Sequence, residues 1–228
     1  MELSIDSSTR YASVALSQRG ESVAELSWHS DRKHSVELVP AVRELLARHE
    51  AELHDLEAVF IAAGPGGFSA LRVGMSTAKA LAVALKAPLV SVVTLDVEAH
   101  PYVKLADRVV ALIEAGRERL YIGEYSDPAP PEYSVQDRDE ALSKIPGDAI
   151  VCGEAARIMA GPLRERLGER VRVVNAGPPT RRAGVLAELG YQKWQSGHID
   201  DPATLQPVYL RSSQIEAADR ARERNLLR

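Results

Sequence analysis

The stretch "LSIDSSTRYASVAL" (residues 3–16) decides the fold, because its pattern returns a hundred residues later as "ALIEAGRERLYIGEY" (111–125). Each is an apolar run ending in an acid, a polar turn, and a second apolar run, which reads as a strand hairpin. Setting Ile113-Glu114 against Ile5-Asp6 also brings Ile122 onto Val14, the same distance after the acid. A pattern repeated at this spacing points to two similar α/β halves, either an ancient duplication or two unrelated halves that alternate alike.

Working outward, "ESVAELSWH" (21–29) is a third strand, with Gly20 and Glu21 making the turn before it. Residues 35–48 have helical periodicity, with Leu38, Val39, Val42, Leu45 and Leu46 on one face. Ser35 is the expected N-cap, and Pro40 predicts a kink or a later start. "AVFIAAG" (58–64) is a continuous apolar run, as a strand buried on both faces requires. A helix over 69–86, a strand at 87–93 and a short helix from 95 complete the first half. In the second, "DAIVCGEAA" (148–156) mirrors "EAVFIAAGPGG" (57–67), with Gly153 in the place of Gly64. A helix over 155–167, a strand at 171–176 and a helix over 182–195 follow. The Pro-rich segment 126–134 reads as an ordered loop. The expected domains are an N-terminal α/β lobe, 1–104, and a C-terminal lobe, 105–228, whose charged end "AADRARERNLLR" is a mobile tail.

Composition bounds the function. The 228 residues are 45% hydrophobic and 26% charged, with net charge −4. That balance argues against broad, unassisted nucleic-acid binding, which needs clustered Lys and Arg. The single cysteine, Cys152, excludes an intrachain disulfide and a multi-cysteine zinc site. Its apolar flanks predict a buried, inert thiol. No basic n-region precedes Glu2 and Asp6, so no signal peptide is expected. Lys79, Lys86 and Pro88 interrupt the longest apolar stretch, which argues against a membrane span. The expected location is the cytoplasm.

The residues that could do chemistry are few. "GPGGFSALRVG" (64–74), between a strand and a helix, is shaped like a phosphate cradle but has neither the GK[ST] nor the GxGxxG pattern. Gly64, Gly66 and Gly67 either present backbone donors to an anion or simply turn the chain. Asp6, followed by Ser7 and Ser8, could hold a magnesium-bound phosphate, or could bond its own turn. Its counterpart Glu114 lacks the hydroxyls. His29 and His34 fall in an expected loop, off the i, i+4 spacing that aims two imidazoles at one metal ion, so no metal site is expected. In the helix after the glycines, Leu71 and Met75 flank a row of small residues, Gly74, Ala78 and Ala82, where another helix could approach. Own core and partner chain are both open as its cover.

These motifs together resemble the TsaB (YeaZ) family of bacterial tRNA-modification proteins. "LSIDSSTRYASVAL" is similar to that family's ILAIDTST…SVAL, and "KHSVELVPAVRELL" to its HS…LLP.I..LL. "GPGGFSALRVGMSTAKALA" resembles GPGSFTGLRIG…AKGLA, "VVTLDVEA" resembles VSSLEALA, "ALIEAGRERLYIGEY" resembles LIDARR.EVY…Y, and "LQPVYLR" resembles the closing P.YLR. The resemblance implies the actin, Hsp70 and sugar-kinase fold (ASKHA, RNase H-like) in two similar lobes. It implies a non-catalytic scaffold that pairs with TsaD, the transferase that forms threonylcarbamoyladenosine beside the anticodon of ANN-reading tRNAs, with the ATPase TsaE joining the complex and tRNA met indirectly. No cofactor of its own is implied, ATP or ADP being met only within the complex. TsaD carries HxxxH where "TLDVEAH" here has His100 alone. Pairing is expected through the two N-terminal helices, at Val39, Val42, Leu46, Leu71, Gly74, Met75, Ala78 and Ala82, with a homodimer when the chain is alone. Asp6, Ser7, Ser8, Gly64, Gly66 and Gly67 would be a vestigial phosphate site. Gly67, Ser69 and Ala70 stand where Ser, Thr and Gly are usual, and Glu114-Ala115-Gly116 replaces Asp-Ala-Arg. A kinase or ATPase of the same fold, using Asp6 and the glycine loop, is the competing reading; a metallopeptidase would need the missing histidine pair.

Overall fold

The computed structural model describes residues 1–210; the tail expected to be mobile lies outside them. The described chain divides into two compact units, one of residues 1–101 and 176–208, the other of 102–175 with 209–210.

In the first unit, β1 (Glu2–Asp6), β2 (Tyr11–Gln18) and β3 (Glu21–His29) form an antiparallel meander. β4 (Ala58–Ala62) and β5 (Leu89–Val92) add in parallel, giving the order β3-β2-β1-β4-β5. The β2–β3 turn is made by Arg19 and Gly20, both at positive φ, not by Gly20 and Glu21. Along β4 the side chains alternate, as a strand demands. Val59 and Ile61 join Leu3, Ile5, Val14 and Leu16 in a core covered by α1 (His34–Arg48) and α2 (Phe68–Leu85). Ala58, Phe60 and Ala62 face the other way, with Val90 and Val92, under α6 (Ala183–Gln195), and Val97 of α3 (Thr94–Ala99) joins them. The unbroken apolar run of β4 therefore reflects two covered faces.

Helix α6 is where the sequence reading and the structure part. The lobe expected to run from 105 onward gives up residues 176–208 to the first unit. The reason is geometric: the second face of the first sheet needs a cover, and α6 meets it closely enough that a Cβ on Gly190 would lie 2.4 Å from Phe60 Cγ. Helix α1 starts at His34 and holds Pro40 without ending there. The carbonyl that Pro40 leaves without its helical partner belongs to Val36, on the exposed side of the helix, where solvent can reach it. Ser35 is inside the helix; the capping position is Lys33, with no side-chain cap. His29 ends β3 and His34 opens α1, so neither lies in a loop. Helix α2 is, by length and composition alone, long enough and apolar enough to cross a membrane, contrary to the expectation from Lys79, Lys86 and Pro88. Within the unit Leu71, Gly74, Met75, Ala78 and Ala82 are buried, and Lys79 Nζ donates to the Leu205 carbonyl at 3.0 Å.

The second unit has β6 (Arg108–Glu114), β7 (Arg119–Ser126), β8 (Ala129–Asp137), β9 (Ile150–Cys152) and β10 (Arg172–Val173) in the order β10-β9-β6-β7-β8. Read from β8, this is the first sheet's order with the same directions, two antiparallel pairs and then two parallel ones. Helices α4 (Arg138–Lys144) and α5 (Ala156–Leu167) cover one face through Ala141, Met159 and Leu163. The Pro-rich segment expected to be a loop is largely β8, an edge strand, where prolines are tolerated because one side has no ladder to complete. The register also shifts. Ile5 pairs Val14, whereas Ile113 pairs Tyr121, so Ile122 and Val14 are not equivalent.

Candidate functional site

The end of β1, the turn after it, the glycine loop and α3 converge on one place in the first unit. Asp6 is 1% exposed and uses both oxygens: Oδ1 accepts the Ser8 N–H at 2.8 Å, and Oδ2 accepts Arg181 Nε at 2.8 Å. The same guanidinium donates from Nη1 to Glu98 Oε2 at 3.1 Å and from Nη2 to Thr9 Oγ1 at 2.9 Å. Arg181 is 2% exposed and Glu98 1%. A planar guanidinium with donors fixed in a fork suits acceptors arriving from several directions. Two carboxylates at this depth require such a partner, and removing one side of a buried ion pair costs about 3–5 kcal/mol.

The hydroxyls and glycines of the supposed phosphate site are equally committed. Ser7 Oγ donates to the Ala70 carbonyl at 2.8 Å, and Ser8 Oγ bonds Thr94 Oγ1 at 2.8 Å. Gly64 N–H donates to Thr94 Oγ1 at 2.9 Å, and Gly67 N–H to the Ser8 carbonyl at 2.7 Å. A Cβ on Gly66 would lie 2.1 Å from the Ser8 carbonyl oxygen, and one on Gly74 would lie 2.2 Å from Ser7 Oγ. These glycines are where they are because the β1–β2 turn approaches the loop too closely for a side chain. The six residues read as a vestigial phosphate site do come together, but as interlocked packing. Glu114, expected as the counterpart of Asp6, is exposed and pairs with Arg138 at 3.0 Å. His34, buried, donates from Nε2 to the Thr9 carbonyl at 2.8 Å, tying α1 to the same turn. Among the described residues, no group of three or more His, Cys, Asp or Glu is placed to hold a metal ion.

Periodicity had no means of finding Arg181. It lies in an irregular, proline-containing segment far along the chain, and only the docking of α6 brings it to Asp6. Next to it, Arg182 Nε donates to Glu25 Oε1 at 2.8 Å, raising the Arg182 pKa through the hydrogen bond first and the charge second. Glu25 also accepts the N–H groups of Ala183 and Gly184, at 3.3 and 3.2 Å, and so caps α6.

The eight residues read as partner contacts divide differently from the expectation. Val42, Leu46, Leu71, Gly74, Met75, Ala78 and Ala82 are buried in the unit's own core, so the small-residue row receives the sheet and Ser7, not another chain. Val39 alone of the eight is exposed. With it on the outer sides of α1 and α2 stand Val36, Phe68 and Val83, each half or more exposed. The Arg72 guanidinium lies 3.9 Å above the Phe68 ring. Beside them a cleft of about 580 Å³ opens, lined by Thr9, Arg10, Arg32, His34, Phe68 and Val73 among others. On α1, the Glu37 carboxyl is held below the usual range, first by the Ser30 hydroxyl and further by the Trp28 indole, which donates at 3.0 Å.

Residues 28–139 match the family model for TsaD, tRNA N6-adenosine threonylcarbamoyltransferase. The chain is 30% identical over 156 residues to the tRNA threonylcarbamoyladenosine biosynthesis protein TsaB of Buchnera aphidicola subsp. Acyrthosiphon pisum, covering 62% of this chain and 70% of that one. It is 27% identical to the TsaB protein of Bacillus subtilis across 94% of this chain and 96% of the relative. The solved structure of YeaZ from Pseudomonas aeruginosa matches with a TM-score of 0.73 and 26% identity, over 92% of this chain and 100% of that one. The duplicated sheet order is that of the two-lobed actin, Hsp70 and sugar-kinase fold. On the Buchnera relative, matched over more than two thirds of its length at 30% identity, the chain belongs to the TsaB family.

Proposed function

We propose that this protein is a non-catalytic scaffold of threonylcarbamoyladenosine formation in tRNA, pairing with a TsaD-type transferase through the outer sides of α1 and α2. The observation that carries the reading is the exposed set Val36, Val39, Phe68 and Val83 on two adjoining helices. Val36 and Val39 lie in the first turns of α1, Phe68 opens α2 and Val83 lies in its last turn, so the proposed surface runs along both helices and is not one compact patch. The chain is then an accessory subunit acting in the cytoplasm, with a TsaE-type ATPase and tRNA reached through the partner. Alone it forms a homodimer by the same face. Asp6 supports the scaffold over a kinase, because its oxygens are spent on Ser8 and Arg181.

The test is affinity purification from the native host with mass spectrometry of what co-elutes. The substitutions must fall on the exposed residues, since Ala78→Arg would place a charge in the core. Val39→Asp with Val83→Asp is expected to keep the thermal midpoint within a few degrees while the TsaD-type protein is lost from the eluate. Retention of that partner by the double variant would sink the assignment of the face. ATP hydrolysis by the purified wild type, abolished by Asp6→Asn, would overturn the scaffold role in favour of the kinase.

A further inference from the structure

The cleft of about 580 Å³ at the start of α1 and α2 has Arg10, Arg32, Ser35, Ser69, Phe68 and Val73 among its walls. Among the described residues, none that lines it is acidic. Composition alone would not arrange this, since the chain carries 32 acids against 28 Lys and Arg. Both arginines are exposed, and neither has an acidic partner among the described residues. Asp31, next to Arg32 in the chain, does not line the cleft. Glu37, one turn into α1, is occupied by the Trp28 indole and the Ser30 hydroxyl. The positive character continues along α2, which has no Asp or Glu in its 18 residues and carries Arg72 beside Phe68.

We propose that this cleft receives an acidic side chain, Asp or Glu, from the partner subunit. The inference rests on the pairing face of α1 and α2 and adds what orients it. Apolar contacts are non-directional, so Val36, Val39, Phe68 and Val83 hold two chains together without deciding which end meets which. A charged pair at one end fixes that register and excludes partners of the wrong sign. The guanidinium fork takes a carboxylate through two parallel hydrogen bonds. The hydroxyls of Ser35 and Ser69, both exposed, can donate to its remaining lone pairs. Phe68 and Val73 supply apolar walls, which strengthen the attraction by excluding water. A second copy of this chain is the poorer occupant. Its α2 holds no acid, and the two acids of its α1 are committed, Glu37 to Trp28 and Glu44 to Arg48.

The experiment follows association of the full-length chain with its TsaD-type partner from the same host across a range of NaCl, because interfacial charge is read chiefly in the on-rate and its salt dependence. Wild type is expected to associate about tenfold faster at low salt than at about 0.5 M, where charges are screened within a few ångströms. Arg10→Gln with Arg32→Gln is expected to slow the low-salt rate by about tenfold and to flatten the salt dependence, at an unchanged thermal midpoint. Arg10→Lys with Arg32→Lys keeps both charges and is expected to retain most of the wild-type rate. Val39→Asp with Val83→Asp, which removes the apolar contacts, separates the cleft from the face. Association lost in that variant but unaltered in the glutamine variant would overturn the cleft proposal and leave the pairing face standing. Association that survives it, with the arginine effect intact, would strike at the apolar face and uphold the cleft. If the glutamine variant changes only the self-association of the isolated chain, read by sedimentation, the occupant is a second copy and the proposal fails. No association of the wild type with that partner would overturn both.

Discussion

Replacing Gly190 by alanine tests how closely α6 lies on the first sheet. Two effects oppose each other. Alanine is favoured over glycine inside a helix by about 1 kcal/mol. Against that, the new methyl would stand 2.4 Å from Phe60 Cγ, 2.7 Å from Cδ2 and 2.9 Å from Cβ, where carbon pairs normally rest at about 3.5–4.0 Å. Phe60 has no exposed surface and sits mid-strand in β4, so its ring base cannot step aside. Helix α6 must therefore lift by about 1 Å, loosening Trp194, whose ring is 6.4 Å from that of Phe60. Overpacking of this kind costs about 1–3 kcal/mol, and the rigid neighbour places the site at the upper end. The net loss is about 2 kcal/mol, which lowers the melting temperature of a chain this size by about 4–8 °C. Urea unfolding should show the midpoint falling at unchanged slope. The decisive assay is a double-mutant cycle with Phe60→Ala, in which Cγ and Cδ2 are gone and only Cβ, at 2.9 Å, remains, so Gly190→Ala should cost clearly less than in the wild type. An equal loss in both backgrounds, or a gain in the wild type, would refute the close packing of α6 on Phe60.

Two further outcomes follow from single contacts. Glu25→Ala removes the acceptor for Arg182 and for two N-terminal amides of α6, and should cost about 1–2 kcal/mol in urea unfolding, as lost caps do; no change would mean solvent caps this helix equally well. For Glu37 the folded-state pKa is depressed, so its contribution is present above the unfolded value of about 4.3 and is lost as pH falls through the lower folded value. Trp28 fluorescence should therefore titrate at a midpoint below about 4.3 in the wild type and lose that step in Glu37→Gln; a step that persists in the variant would assign the titration to another group.

Much of the fold was legible because local rules were enough. Strands β1, β2 and β4 are short apolar runs bounded by turn residues, and α1 shows its buried stripe at helical spacing. Where the reading missed, a longer-range condition had outweighed local preference. Proline argued for a loop at 126–134, but its missing donor costs little on the edge that β8 occupies. The row Gly74, Ala78 and Ala82 was read as room for another helix; at Gly74 the close neighbours are Ser7 and, from the chain's own sheet, Ile61. A small residue records that something is near and carries no information on which chain it belongs to.

The sequence by itself determined the class: two α/β halves with the same strand order, an acid at the end of the first strand, and a glycine loop that turns the chain into α2. Those features follow from periodicity and turn chemistry, which act over a few residues. Only the tertiary structure decided that α6 covers the first sheet, that Arg181 reaches Asp6 and Glu98, and that Val36, Val39, Phe68 and Val83 remain outside. Each of these depends on which of several apolar faces meets which. That choice is made by shape and by the need of buried carboxylates for a cation, across separations of 83 to 175 residues for the Arg181 contacts.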